Sequence, residues 1–353
     1  MSVLLINAKF ELLSLFWAIA IFFLASSVFL CFGIIIRRIL RNRNARKRAK
    51  QKAAFQAYVV EFINEVSVDN HHRRMPTCHI HEMTDVLLHY FQTLKGKKKE
   101  TLQDMISGTD IEGKIVESTK HGTRGVRMRA VRVLSYLNSQ NSLQVIFKSL
   151  SSEDKYIRLT AMRSLVKRKA RFFLNAIIES CLEAFPSDYK LLSGILSNFG
   201  NEIIEPLEEI IRTSKNETLV TASLETLILI MPMRTSVDFD RLMKHANEDI
   251  RAAALSLSAI TKHDAPVNPQ LLGLTDSSTK VKIRAAKMAN RLKRSDLTSP
   301  LYELSSDPVL WVRYWALRGI WVSGTSGEKL VTSMTKTNPT AKNVALEMSS
   351  GYV

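Results

Sequence analysis

A five-residue pattern recurs through the last two-thirds of this chain at nearly constant spacing. Eight segments begin at Val126, Ile157, Tyr189, Leu219, Ile250, Val281, Val312 and Ala341, and each ends in Ala or Ser. Successive segments lie 31, 32, 30, 31, 31, 31 and 29 residues apart. A fixed period in this range indicates stacked repeats, because a unit this short buries its apolar face only against its neighbours.

Each repeat has the pattern of two helices joined by a polar turn. After Val281 the apolar side chains of Ala285, Met288, Ala289 and Leu292 follow at offsets that share one face of a helix. Turns rich in Ser, Asp and Asn precede most of the segments, and these residue types cap helix starts. A second apolar stretch lies between successive segments, at 143–150, 172–182, 203–211, 239–243, 271–274 and 301–304. We therefore predict an all-α fold with an α-solenoid of helical hairpins over residues 121–353.

The combination of an acidic turn and a following Val-Arg-x-x-Ala helix resembles the HEAT-repeat family, in particular its short, PBS-lyase-like type. The resemblance covers roughly residues 120–350 and is weakest at the segments that begin at Tyr189 and Leu219. It implies a curved stack of hairpins that presents a long surface to other proteins. It implies no enzymatic activity and no cofactor.

The amino-terminal part of the chain predicts a membrane anchor. Residues 12–36 carry no charge and would form a helix long enough to cross a bilayer. A basic flank follows at once and contains Arg37, Arg38, Arg41, Arg43, Arg46, Lys47 and Arg48. Because basic flanks stay on the cytoplasmic side, we expect a single-pass protein of a bacterial inner membrane with residues 1–11 outside. A basic juxtamembrane helix at 37–66 that also contacts lipid and an irregular helical cap at 67–120 would connect this anchor to the solenoid.

Charge and cysteine content narrow the functional classes. The net charge of +17 falls to +8 over residues 53–353, which hold 40 basic and 32 acidic side chains. This modest excess does not require nucleic acid as a partner. The three cysteines, at 31, 78 and 181, are too few and too far apart to indicate a disulfide framework.

The second position of the repeated segment supplies a candidate binding surface, the basic ladder. It consists of Arg127, Arg158, Lys190, Arg251, Lys282, Arg313 and Lys342. One interpretation is structural, with each cation paired to an acidic residue of the preceding turn, at Asp154, Asp188, Glu248, Asp249 or Asp307. The other is a groove for an acidic partner, because a row of cations attracts polyanions through its summed field.

Two smaller clusters also have alternative interpretations. Trp311 and Trp315 lie four residues apart on one predicted helix, where they either seal the end of the stack or contact a partner. His71, His72, Cys78, His79 and His81 are weak candidates for a metal site, since their spacing matches no zinc motif and the sequence favours a polar, partly solvated loop instead.

The sequence predicts a scaffold rather than an enzyme. It contains no nucleophile elbow, phosphate-binding loop, zinc-protease motif or dinucleotide fingerprint. We expect a membrane-anchored adaptor that binds protein partners rather than nucleic acid, as an accessory subunit of an inner-membrane complex. The alternative is a module that binds a polyanion, either lipid head groups or nucleic acid, through the basic ladder.

Overall fold

The computed structural model describes residues 2–64, 75–107, 109–261 and 269–350, with side chains in the first helix from residue 26 onward and at positions 17 and 24. This part of the chain is helical and contains no β-strand. Its α-helices are α1 Ser2–Asn64, α2 Ile80–Thr93, α3 Lys97–Ser107, α4 Ile111–His121, α5 Arg124–Leu134, α6 Gln140–Lys148, α7 Lys155–Lys167, α8 Leu174–Ala184, α9 Tyr189–Leu196, α10 Ile204–Thr213, α11 Glu217–Ile230, α12 Phe239–Met243, α13 Glu248–Ser258, α14 Pro269–Leu274, α15 Thr279–Leu292, α16 Thr298–Leu304, α17 Leu310–Trp321, α18 Thr325–Met334 and α19 Pro339–Ser349.

The chain forms two compact units, residues 1–142 and 143–353. In the first unit the end of α1 packs against α2 and α3, and α2 packs against α5. Phe55 of α1, Leu87 of α2 and Leu102 of α3 are fully buried there. The repeat that begins at Val126 therefore belongs to the first unit, in which α4 and α5 form its hairpin.

The second unit is a stack of helical hairpins. Each pairs a first helix with a second helix that carries the repeated segment, as α12 pairs with α13 and α16 with α17. The second helices of neighbouring hairpins pack directly on one another, so that α13 lies between α11 and α15. Ile250, Ala254 and Leu257 of α13 are fully buried as a result. The predicted all-helical, solenoid-like stack is confirmed.

Polar residues in the turns cap the second helices as their sequence indicates. The side chain of Asp154 accepts a hydrogen bond from the amide of Tyr156, and that of Asp188 accepts one from Leu191. Asn216, Asn247 and Asn338 cap α11, α13 and α19 in the same way. These contacts satisfy amides that lack a partner within the helix, and they fix where each second helix begins.

The predicted membrane topology is wrong. Among the residues that the structure describes, no helix combines the length and the apolar composition required to cross a bilayer. The expected span at 12–36 and the single-pass localisation in an inner membrane are accordingly corrected.

Candidate functional site

Contacts between second helices that are not neighbours identify the inner face of the second unit. The hydroxyl of Tyr189 in α9 lies 3.4 Å from a carboxylate oxygen of Asp249 in α13, although α11 intervenes. Arg284 of α15 likewise pairs with Glu225 of α11 at 2.7 Å, although α13 intervenes. Side chains two hairpins apart can meet only on the concave side of a curved stack. We call this surface, defined by these four residues and their equivalents in other second helices, the inner face.

The inner face carries its own electrostatic network. Asp249 also pairs with Lys280 of α15, so that one carboxylate receives contacts from two other second helices. Burial raises the pKa of the Tyr189 hydroxyl, and the charge of Asp249 raises it further. The hydroxyl therefore stays protonated at neutral pH and remains a hydrogen-bond donor.

The basic ladder lies elsewhere, against the hairpin turns. Arg251 donates hydrogen bonds to the carbonyl oxygens of His245 and Ala246 at 2.8 and 2.9 Å. Arg313 makes the equivalent bonds to Asp307 and Pro308 at 2.8 and 3.0 Å. Each of these arginines stands four residues after its N-cap and folds back onto the turn that precedes its own helix.

The other two ladder arginines do the same. Arg158 donates to the carbonyl of Ser152 in the second unit, and Arg127 donates to that of Thr119 in the first unit at 2.8 Å. Four arginines at the same helical position thus donate to backbone carbonyls that precede their own helices, three of them in turns and the fourth, that of Thr119, in the last turn of α4. Their shared contacts indicate a structural role at this position.

Carboxylate partners of the ladder come from the next hairpin rather than from the preceding turn. Arg251 binds Asp276 in a bidentate geometry at 2.8 and 2.9 Å, and Lys282 pairs with Asp307. Arg158 pairs with Glu183 at 2.9 Å. Each acceptor lies 25 residues after its cation, in the next hairpin, so these ion pairs join consecutive repeats.

The predicted acidic partners have other roles. Asp154 and Asp188 are helix caps, Glu248 accepts from Ser278 at 2.6 Å, and Asp249 belongs to the inner face. Of the five predicted acids, Asp307 is a ladder partner, but of the cation one repeat earlier. The structural interpretation therefore predicted the right residue types for these ion pairs. It placed each acidic partner in the turn before the cation, whereas the partners observed lie in the hairpin after it.

Burial and hydrogen bonding have opposing effects on the pKa values of two of these carboxylates, Asp276 and Asp307. Burial raises the pKa of Asp276, but the hydrogen bonds from Arg251 and from the amide of Ser278 outweigh it, and the pKa is lowered overall. Burial likewise opposes a lowered pKa at Asp307, where the bond from Lys282 and the amide of Val309 prevail. Both carboxylates are ionised at neutral pH.

Lys190 does not occupy the ladder position. It stands two residues after its N-cap, Asp188, whereas the ladder arginines stand four residues after theirs. Leu192 holds the equivalent place in α9 and is fully buried. Lys190 instead projects from the start of α9 as an exposed side chain, while Lys342 is an exposed ladder residue of α19.

The aromatic cluster lies on the inner face of the last hairpins. Trp311 stands two residues after the N-cap of α17, as Lys280 does in α15, and its side chain is 59% exposed. Trp315 is half-buried and receives the ammonium of Lys287 4.8 Å from its ring centre. Arg318 lies 5.4 Å from the same ring and pairs with Glu347 at 2.7 Å. The cluster thus leaves the indole of Trp311 exposed to solvent. Beside it, Lys287 and Arg318 pack on the ring of Trp315.

The described part of the histidine-rich segment does not assemble a metal site. Among the residues that the structure describes, no three His, Cys, Asp or Glu side chains are close enough to hold an ion. His81 lies 3.4 Å from Asp85, and the thiol of Cys78 donates to the carbonyl of His79 at 3.6 Å. Burial, followed by the charge of Glu82, raises the pKa of Cys78 to about 11, which disfavours the thiolate that a metal would need. His71 and His72 lie outside the described residues.

The basic flank forms part of α1. Arg37, Arg38, Arg41, Arg43, Arg46, Lys47 and Arg48 are all exposed on one continuous helix. Their predicted assignment as a membrane flank depended on the corrected topology and does not stand without it.

Neither models of protein families nor curated proteins give a match to this chain. Solved structures similar to it include Kap121p bound to Ste12p, with 12% identity, 80% of this chain and 38% of that chain covered, and a TM-score of 0.39. Kap121p bound to RanGTP matches at 13% identity over 78% of this chain and 35% of that chain, again with a TM-score of 0.39. The chain spans less than two-fifths of the length of these structures. Values this low transfer neither a function nor a partner to it.

Sequence reasoning missed the inner face as a distinct surface. The contacts that define it join residues 59 and 60 positions apart, nearly twice the repeat period. A usable signal was present, because the ninth residue after successive N-caps is Glu225, Ser256, Lys287, Arg318 and Glu347. Four of these five residues are charged and the fifth is polar, and their position lies away from the apolar offsets, which indicates a second polar face on these helices.

Proposed function

We propose that this protein is a scaffold that binds protein partners on the inner face of its second unit. The observation that carries the proposal is the arrangement of the second helices, whose exposed side chains converge on one concave surface. Such a surface contacts a partner through side chains from several repeats at once. The ladder residues do not compete for this role, because the hairpins themselves engage Arg158, Arg251 and Arg313.

The aromatic cluster supports the proposal at the carboxyl-terminal end of the face. Trp311 is exposed although the core of α17 is complete without it, with Val312, Ala316 and Ile320 fully buried. Tryptophan and arginine are the residue types that dominate the energy of protein interfaces. Lys287 and Arg318 both pack on the ring of Trp315 and so hold the aromatic surface next to Trp311 in place.

Site-specific photo-cross-linking in the source cells tests this proposal. A photoreactive phenylalanine analogue at Trp311 should give a cross-linked protein adduct, since this side chain lies on the inner face. The matched control is Tyr302 of α16, an aromatic residue that is 49% exposed on a first helix. Equal adducts at both positions, or none at Trp311, would contradict the proposal.

A further inference from the structure

The inner face contains a cleft that is lined by several cations and by no acidic side chain. It lies between α7 and α9, has a volume of about 620 Å³, and is lined by nine residues. Arg163 and Lys167 extend into it from α7, and Lys190 does so from α9. Arg163 stands nine residues after its N-cap, as Glu225 and Arg318 do in theirs, which places the cleft on the inner face.

The charge of this cleft contrasts with that of the later repeats. There Lys280, Arg284 and Arg318 are each paired with a carboxylate of another second helix. None of the nine lining residues of the cleft is acidic. Within the described part of the chain, neither Arg163 nor Lys190 has a carboxylate partner. The cleft is therefore a local source of positive potential on the inner face, whereas Lys280, Arg284 and Arg318 are each neutralised by a carboxylate.

The lack of a side chain at Gly194 leaves space in the cleft. It lies inside α9, where glycine costs roughly 0.5–1 kcal/mol relative to alanine. A Cβ built at this position meets no atom within 4 Å, and the helical backbone does not require glycine there. The equivalent positions in α15 and α17 carry the large side chains of Arg284 and Trp315. A glycine that neither packing nor backbone conformation explains leaves space for a ligand against α9.

One wall of the cleft is fixed in place. The ammonium of Lys169 donates to the carbonyl oxygens of Asn198 and Phe199, each at 2.7 Å. Lys169 has a φ of 54°, a left-handed conformation that ends the segment after α7. Its contacts join the carboxyl ends of α7 and α9 and so hold the two sides of the cleft at a set separation. A preformed cleft lowers the entropy cost of binding.

We propose that this cleft binds an extended acidic segment of a partner protein. The inference rests on the proposed scaffold function and specifies the chemistry of one contact. Val166 and Ile195 form a buried apolar floor, and the half-exposed Leu191 adjoins it. Apolar side chains of a peptide fit this floor while its carboxylates reach Arg163 and Lys190. Nucleic acid fits less well, because no lining residue is aromatic and single strands bind largely by stacking on rings.

Fluorescence anisotropy of the full-length protein with a labelled peptide of alternating Glu and Leu tests the cleft. Gly194→Glu places a carboxylate in the open space, and we expect about tenfold weaker binding from charge repulsion. The matched control is Gly194→Ala, which leaves the charge unchanged and should bind as the wild type does. Arg163→Ser and Lys190→Ser should each weaken binding, whereas Lys342→Ser should not. Circular dichroism of every variant verifies that it is folded.

Several results would overturn the inference. They are absence of peptide binding, equal affinity of Gly194→Glu and wild type, and tighter binding of an oligothymidylate of the same length at the same residues. The scaffold proposal is tested separately by cross-linking at Trp311. If adducts persist in the Gly194→Glu protein while the peptide fails to bind the wild type, the cleft assignment fails and the scaffold proposal stands.

Discussion

Arg251 shows how a single side chain holds two hairpins together. One end of its guanidinium satisfies carbonyls of its own turn, and the other binds Asp276 of the next hairpin. The two side chains are only 12% and 9% exposed, so the pair is largely withdrawn from water. Removing one partner from such a pair leaves a buried charge without compensation, which costs more than the loss of an exposed ion pair.

We therefore expect Arg251→Ala to lower the free energy of unfolding by about 3 kcal/mol. Lys342→Ala provides a matched control at the same helical position, because Lys342 is exposed and lies at the last repeat. That control should change the free energy by less than about 0.5 kcal/mol. Urea denaturation followed by circular dichroism measures both. A similar effect of the two substitutions would contradict the structural role of the ladder.

The pH dependence of stability provides a second prediction for the same pair. The pKa of Asp276 is lowered in the folded protein, so its ionised form stabilises the fold above the unfolded-state pKa of about 3.9. This contribution is lost as the pH falls through the lower folded-state pKa. The difference in unfolding free energy between wild type and Asp276→Asn should be constant from about pH 5 to pH 8 and should shrink below about pH 4. Urea titrations across this range measure it, and a difference that grows on acidification would contradict the assignment.

At the scale of elements, the sequence predicted those features that depend on contacts between residues close together in the chain. The period, the apolar offsets and the Asp and Asn caps locate most second helices, since each cap acts on amides two or three residues away. The register at α9 was not predictable from the segment alone, because the cap Asp188 shifts the helix start relative to Tyr189. The direction of the Arg251–Asp276 pair and the inner-face contacts depend on how hairpins stack. No single repeat contains that information.

Two glycines in different helices should respond oppositely to one substitution. A Cβ at Gly327 of α18 would lie 1.9 Å from the carbonyl oxygen of Ile320, so Gly327→Ala forces backbone atoms apart. We expect it to cost about 1–3 kcal/mol, the usual range for overpacking. Gly194→Ala meets no such obstacle and should stabilise the protein by about 0.5–1 kcal/mol through its better helix propensity.

Urea denaturation of the two alanine variants against the wild type measures this difference. Both substitutions add one methyl group inside a helix, so each serves as the control of the other. Equal shifts in the same direction would contradict the packing that distinguishes α9 from α18.

At the scale of the whole molecule, each of the two compact units has its own core. Within the second unit, stability depends on interfaces between consecutive hairpins, because no element contacts the entire stack. The second helix α13 packs on both α11 and α15, whereas α19 packs on α17 and on its own partner α18. In a one-dimensional array of this kind, an end repeat opens at the cost of one interface and a middle repeat at the cost of two.

Native-state hydrogen exchange should therefore show a gradient along the second unit. We expect amides of α19 to exchange at least about tenfold faster than those of α13, since local opening costs less at the end of an array. Arg251→Ala should raise the exchange rate in α13 and α15 more than in α7, because the substitution removes the ion pair that joins the hairpins of α13 and α15. Mass spectrometry of peptides from these helices measures each rate. Equal protection of α13 and α19 would mean that the unit opens all at once, and nearest-neighbour stacking would then be the wrong description of its stability.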